Sequence, residues 1–248
     1  MKRDLYFSKP IMNTAGLLGF APDFRSLNGF GAFVTNPISL RLRLPAAQPA
    51  LIEFPGGFLL HTGLPNPGLS AVLKKHAARW NRSDMPIIVH LMADRPEETM
   101  RMVQMLEGIE NVMAVELGFA PLLSDDIFLL NLEMCVGELP LIFSLPAEQV
   151  LSLGPRLMQG GAAAISMTSP RGALISPRDK NKLITGRLYG QSIFPRSLDI
   201  VHSAAMIGMP IIGSGGVWTE QDAADMLSAG AMAIETDASL WLPREASV

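Results

Sequence analysis

The chain has 248 residues, a length that suits one (β/α)8 barrel and also two small domains. Apolar residues make up 48% and charged residues 17%, enough for a large core, and a net charge of −3 with no basic block argues against a nucleic-acid surface. The single cysteine, Cys135, excludes an internal disulfide framework and suits a reducing compartment.

The opening Met1-Lys2-Arg3-Asp4 runs into mixed sequence without a signal-peptide core, and no apolar run reaches the roughly 18 residues of a membrane span. The expectation is a cytoplasmic protein that does not enter a membrane. Short apolar runs then follow one another as candidate strands: 11–13, 32–36, 87–92, 112–118, 141–145, 163–168, 211–213 and 232–236. Most are continuously apolar, as strands covered on both faces should be. Helical patterns lie between most of them. Leu73, His76, Ala77 and Trp80 recur at helical spacing, as do Met102, Met105, Leu106 and Ile109. Thr219 predicts a helix N-cap, with Glu220 and Asp222 in the first turn and Gly230 at the stop. Strand alternating with helix predicts an α/β fold, a single (β/α)8 TIM barrel over 1–248, with an open doubly wound sheet as the alternative.

Two stretches depart from the alternation. Leu44 to Leu64 is rich in Pro and Gly and reads as an irregular excursion or hairpin above the mouth. Pro170 to Gly190 carries Arg171, Arg178, Lys180, Lys182 and Arg187, and reads as a long polar loop of the kind that forms lids. The fifteen methionines read as flexible core filling.

The clearest functional feature is the turn Gly213-Ser214-Gly215-Gly216 before the Thr219 helix. Adjacent glycines let a backbone approach a ligand, and the helix N-terminus adds positive potential. A phosphate site is expected there, the alternative being a tight turn with no ligand.

Several segments, taken in order, resemble the dihydroorotate dehydrogenases. Pro10 to Gly16 is similar to their first strand, and Gly31 to Thr35 to their second. Glu53-Phe54-Pro55-Gly56-Gly57 and Gly63-Leu64-Pro65-Asn66-Pro67-Gly68 resemble the loop that follows. Gly186-Arg187-Leu188-Tyr189-Gly190 resembles a Gly-rich region, and Pro210 to Gly216 with Ala229-Gly230-Ala231 resembles the closing unit that holds the FMN phosphate. The resemblance implies an FMN-dependent barrel that oxidises dihydroorotate to orotate, with Ala15, Gly16, Gly190, Gly215 and Gly216 as cofactor-binding residues.

The family pattern is broken where chemistry is done. Asn36 stands for a lysine after strand two, and Ser144 for the strand-five lysine. Gly118-Phe119-Ala120-Pro121-Leu122 replaces the loop that supplies substrate amides and the base. Leu60 and Thr168 stand for asparagines, and Asp237-Ala238 for a Gly-Thr pair that completes the phosphate cup. Proton abstraction needs a positioned base, and a like charge beside a phosphate is unfavourable.

His61 and Ser144 are the replacement catalytic candidates, although His61 also reads as a solvated loop histidine. His90, within a strand, reads as packed or hydrogen-bonded. Glu116, if it faces the interior, requires a partner there. Ser124-Asp125-Asp126 reads as a helix cap, and Cys135 as a small buried hydrophobe. Arg41 and Arg43 either bind an anion or are solvated, and Arg171 is the better anion candidate. No Cys/His cluster suggests a metal. The functional expectation is an FMN-binding oxidoreductase with altered or lost dihydroorotate oxidation, taking a small molecule at the mouth. The alternatives are a non-catalytic binding or assembly partner, and a barrel for another phosphorylated metabolite. A homo-oligomer is compatible with Leu240, Trp241 and Leu242, which either cap the barrel or pack on a second chain.

Overall fold

The computed structural model describes residues 4–22, 27 and 29–237. In chain order it contains β1 (Ile11–Asn13), β2 (Phe33–Val34), β3 (Ala50–Phe54), β4 (Gly57–His61), α1 (Leu69–Asn81), β5 (Ile87–Met92), α2 (Pro96–Glu107), β6 (Val112–Gly118) and α3 (Asp125–Cys135). These are followed by β7 (Leu141–Leu145), α4 (Val150–Gln159), β8 (Ala164–Met167), β9 (Arg171–Ile175), β10 (Leu183–Tyr189), α5 (Phe194–Met206), β11 (Ile212–Gly213), α6 (Glu220–Ser228) and β12 (Ala233–Thr236). Every strand expected from an apolar run forms, several of them shorter than the run. Ala238, Leu240, Trp241 and Leu242 lie outside the described residues.

The parallel strands fall into a five-stranded sheet, β2-β5-β6-β7-β8, and a three-stranded sheet, β1-β12-β11. Both sheets face one interior. Met12, Val34, Ile88, Ala114, Ile142, Ala164, Ile212 and Ala233, one from each of these strands, form a buried apolar plug there. The opposite faces carry Phe33, Val89, Val115, Phe143 and Ile165 into a second core beneath the helices. Apolar residues on both faces explain why these strands read as unbroken apolar runs.

The expected continuous eight-stranded ladder is seen only in part. At two seams the sheets meet through a single parallel bridge, Met12 with Ala32 and Ile165 with Ile211. Side chains stitch both seams. The Asn13 amide donates to Val34 O at 2.7 Å and accepts from Val34 N at 3.1 Å. The Ser214 hydroxyl donates to Met167 O at 2.9 Å and accepts from Met167 N at 3.2 Å. Both side chains are buried, so each satisfies main-chain groups that neither a ladder nor water reaches.

The two excursions are one structure. The polar stretch expected to be a long loop is instead the hairpin β9–β10. It pairs with the β3–β4 hairpin in an antiparallel sheet of order β3-β4-β10-β9. Alternation within Leu183-Ile184-Thr185-Gly186-Arg187-Leu188-Tyr189 is the strand signal that its charged flanks hide. This sheet roofs the C-terminal ends of the parallel strands.

The Asn13→Ala variant leaves the N–H and C=O of Val34 without these partners in a dry site. The expected loss is about 2–4 kcal/mol of unfolding free energy, measured by denaturant titration. A loss no greater than that of an exposed surface substitution would show that the seam does not depend on this side chain.

Candidate functional site

Side chains alternate along a strand, so residues two positions beyond the plug return to the interior. Above Ile88 stands His90, above Ala114 stands Glu116, and above Ile142 stands Ser144. Ser166 lies above Ala164, and Glu235 above Ala233. The interior therefore changes from apolar to polar within one step of the pleat. Two carboxyl groups are sealed in it, with Glu116 at 2% and Glu235 at 3% exposure.

Glu116 is the centre of this layer. His90 is its register partner on β5. His90 Nδ1 and Glu116 Oε2 are 2.6 Å apart. Ser166 donates its hydroxyl to Glu116 Oε1 at 2.6 Å. Glu235 bonds to Glu116 from β12, in the other sheet. Burial acts to raise Glu116, but the His90 charge and the bonds from His90, Ser166 and Glu235 outweigh it and hold the group below its ordinary value. Glu235 is pushed the other way, first by burial and then by Glu116, well above the ordinary value of 4.5. The opposed shifts direct the charge of the pair toward Glu116 and its proton toward Glu235. A carboxylate only accepts, so His90 Nδ1 donates to it and Nε2 is left as the second ring nitrogen.

Gly118 explains where the imidazole lies. A Cβ at this position would collide with His90 Nε2. The ring therefore fills the space in which a larger residue at 118 would stand. No described residue hydrogen-bonds Nε2, and His90 lines the cavity beneath the roof with Gly118, Pro37 and Arg187. That cavity, about 240 Å³ in volume, adjoins one of about 630 Å³ that reaches to Ser214 and Gly215.

The roof supplies the cations. Arg171 and Arg187 are register partners across β9 and β10, and both line the two cavities. Like charges directly opposite one another in a sheet repel, unless an anion lies between them. Burial lowers Arg187; Tyr189 and Glu116 oppose this effect, and Arg171 adds to it. The Arg187 guanidinium also donates to Ser169 O at 3.1 Å. Burial pushes the Tyr189 phenol up.

The Ser214 hydroxyl and the Gly216 N–H of the glycine turn have internal partners. Gly216 N–H donates to Asp237 Oδ2 at 3.0 Å. Trp218 N–H and Thr219 N–H both donate to Asp222 Oδ2, at 2.9 and 2.7 Å, and Thr219 completes a capping box with Asp222. Gly215 and Gly216 have φ of 92° and 79°. A side chain on either would strike the start of α5, at Ser197 Oγ or Phe194 N.

The expected site residues separate into groups. Ala15 and Gly16 border a small cavity at the interior end of the mouth, with Ser144, Glu116 and Glu235. Ser144 bonds to Thr168 through their hydroxyls at 3.0 Å, so two of the positions that depart from the family pattern satisfy each other. His61 ends β4 and lines the roofed cavity, half-buried. Gly190 packs against Gly56 and Gly57 at the turn of the β3–β4 hairpin, where a side chain has no room. Ser124 caps α3 by position without a side-chain bond, while Asp125 meets Gln149 and Arg156. Cys135 is buried at the end of α3, and burial pushes its thiol up to about 12. Glu235 went unnoticed in the sequence. A lone carboxylate at 235 inside an apolar strand was its signal. Among the described residues no cluster of three His, Cys, Asp or Glu could hold a metal, and no helix is long and apolar enough to cross a membrane.

The chain matches the family model of dihydroorotate dehydrogenase over residues 3–119 and 163–242. The match breaks off at Phe119 and resumes at Ala163, so it omits the loop after β6, α3, β7 and α4. The chain is 28% identical over 265 residues to the catalytic subunit of dihydroorotate dehydrogenase B (NAD(+)) from Pelobacter propionicus, covering 98% of this chain and 87% of that one. The subunit of the same name from Latilactobacillus sakei is 28% identical over 256 residues, covering 93% and 83%. A crystal structure of dihydroorotate dehydrogenase from Eimeria tenella with ferulenol matches at a TM-score of 0.75 and 18% identity, over 96% of this chain and 78% of that one. At that identity the likeness concerns the fold alone.

The carboxyl pair gives a signed pH dependence. Glu235 is raised in the fold, so its contribution to stability is full below 4.5 and is lost as pH rises through the folded-state value. Glu116 is lowered, so its contribution is lost only as pH falls through its own folded-state value, and this effect is common to both proteins compared. The Glu235→Gln variant keeps a donor toward Glu116 but has no proton to lose. As pH rises above 4.5, the melting temperature of the native protein is expected to fall relative to this variant. Parallel curves across the whole range would contradict a protonated Glu235.

Proposed function

The chain belongs to the dihydroorotate dehydrogenase family, and from that premise we propose a member whose mouth binds a small organic anion beside a His90–Glu116 acid–base pair and no longer oxidises dihydroorotate. One observation carries the reading. The His90 ring occupies the space over Gly118 and is held there by the buried Glu116 carboxylate. A carboxylate on Nδ1 orients an imidazole and stabilises its charged form, which suits Nε2 to accept or return a proton. The proton-transfer role thus passes from the loop after β6 to β5.

That loop supports the loss of the family reaction. Phe119 is buried against Phe128 and Phe143, with ring centroids 4.1 and 5.8 Å apart. Ala120 N–H is tied to Asp94 at 2.7 Å. Leu122 is fully exposed with a φ of 66°. The Phe119, Ala120 and Leu122 side chains take up no proton, and the family match stops at Phe119. Arg187 and Arg171 supply the attraction for an anion, which enters beneath the roof and meets His90 below.

FMN is the cofactor that the family resemblance implies. Ala15 and Gly16 offer its ring end a lining beside the Ser144 and Thr168 hydroxyls. Its phosphate end does not fit, because the Gly216 N–H is bonded to the Asp237 carboxylate. What the chain's own residues supply is anion binding at the arginines and a proton held at His90.

Orotate, a planar carboxylate, serves as the probe anion. Saturating orotate is expected to shift the His90 imidazole resonances, and the Arg187→Gln variant is expected to bind it roughly tenfold or more weakly, as befits one charge-assisted hydrogen bond. Absence of binding, or binding that leaves the His90 resonances unmoved, would overturn the proposed site. Conversion of dihydroorotate to orotate by the protein supplied with flavin and an electron acceptor would overturn the loss of the family reaction.

A further inference from the structure

The turn after β11 has the form of an anion cradle, but the protein's own carboxylates take the Gly216, Trp218 and Thr219 N–H groups. Four main-chain N–H groups near the start of α6 are committed. Gly216 donates to Asp237, Trp218 and Thr219 donate to Asp222, and Asp222 donates to the Thr219 hydroxyl. The Ser214 hydroxyl, which would face a ligand in an open cradle, is bonded to Met167 on β8 in both directions. Asp237 is 2% exposed and Ser214 is 2% exposed, so these are buried bonds rather than surface ones. A phosphate arriving here would have to displace a carboxylate from Gly216 and then remain beside it, and two anions in a site shielded from water repel strongly.

The larger cavity nonetheless reaches this turn. Its volume of about 630 Å³ falls in the range of sites for cofactor-sized ligands, and Met167, Thr168, Ser214 and Gly215 are part of its lining. We infer that Asp237 fills the phosphate position of this cradle, and that the ligand of the mouth ends at the turn in an uncharged hydroxyl-bearing group. Within the flavin class that is a flavin without its phosphate, riboflavin rather than FMN. A ribityl hydroxyl donates to a carboxylate or accepts from an amide, so it is compatible with Asp237 where a phosphate is not. This inference rests on the turn and on Asp237, and does not depend on any role for His90.

The test compares two ligands that differ only in the phosphate. Affinities for riboflavin and FMN are measured by quenching of flavin fluorescence on the native protein and on Asp237→Gly, with inorganic phosphate as a competitor. The native protein is expected to bind riboflavin at least as tightly as FMN, and inorganic phosphate is expected to have no effect. The Asp237→Gly variant, which frees Gly216 N–H and removes the charge, is expected to move the preference tenfold or more toward FMN and to become sensitive to phosphate. Asp237→Asn keeps an acceptor for Gly216 N–H without the charge, and is expected to move the preference in the same direction by a smaller factor. It serves if the glycine variant does not fold. Native protein that binds FMN tenfold more tightly than riboflavin overturns the inference. So does native protein that takes up neither flavin, and so does a preference unchanged in both variants. Loss of the orotate response at His90 with the flavin preference intact would count against the acid–base reading alone.

Discussion

A carboxylate sealed inside a ring of strands must be supplied with donors, and in this protein Glu116 draws them from three other strands. His90 reaches it from β5, Ser166 from β8 and Glu235 from β12. The first two lie in its own sheet and the third in the other, so one anion couples both sheets. Neither carboxyl would tolerate this depth alone. With both charged they would repel, and with both neutral His90 would keep only an uncharged acceptor. A single shared proton satisfies the whole group. The polar layer is thus a structural necessity and a chemical resource at once. The same bond that satisfies Glu116 orients the His90 ring toward the mouth.

The seams show a second economy of polar groups. β2 and β11 are only two residues long, and neither can carry a full ladder to its outer neighbour. Asn13 and Ser214 replace the missing main-chain partners, each serving as donor and acceptor to a single residue across the gap. Ser214 is in this way removed from the inventory of ligand-binding groups. A residue that reads as part of a phosphate motif is needed to hold the wall of the sheet together.

Much of this was legible before the fold. The parallel strands were visible because both of their faces are apolar, and the Thr219 cap because its chemistry is local. Three things were hidden, each for a physical reason. The β9–β10 hairpin was masked by the charge of its flanks, although its own burial alternates. Its partner, β4, lies far away in the chain, and no local pattern reveals that pairing. The meeting of His90 with Glu116 depends on strand register, which two separate segments do not disclose. The displaced chemistry could be read as losses at Gly118 and Ser144. The compensations, His90 over Gly118 and Thr168 on Ser144, required coordinates.

The roof has a bearing on the order of folding. Leu59 and Leu60 on β4 pair with Leu188 and Arg187 on β10, across about half the length of the chain. Closing so long a loop costs entropy before any pairing rewards it, and the cost falls once the intervening strands have drawn the two hairpins together. The antiparallel sheet therefore depends on the parallel one for its assembly. A region with that dependence is also the least expensive to release from the native state, because its opening leaves the apolar plug intact. Passage to the polar layer can then occur by local melting of the β4–β10 pairing, with no hinge and no rigid door. Any molecule that bridges Arg171 and Arg187 would brace β9 against β10 within that roof.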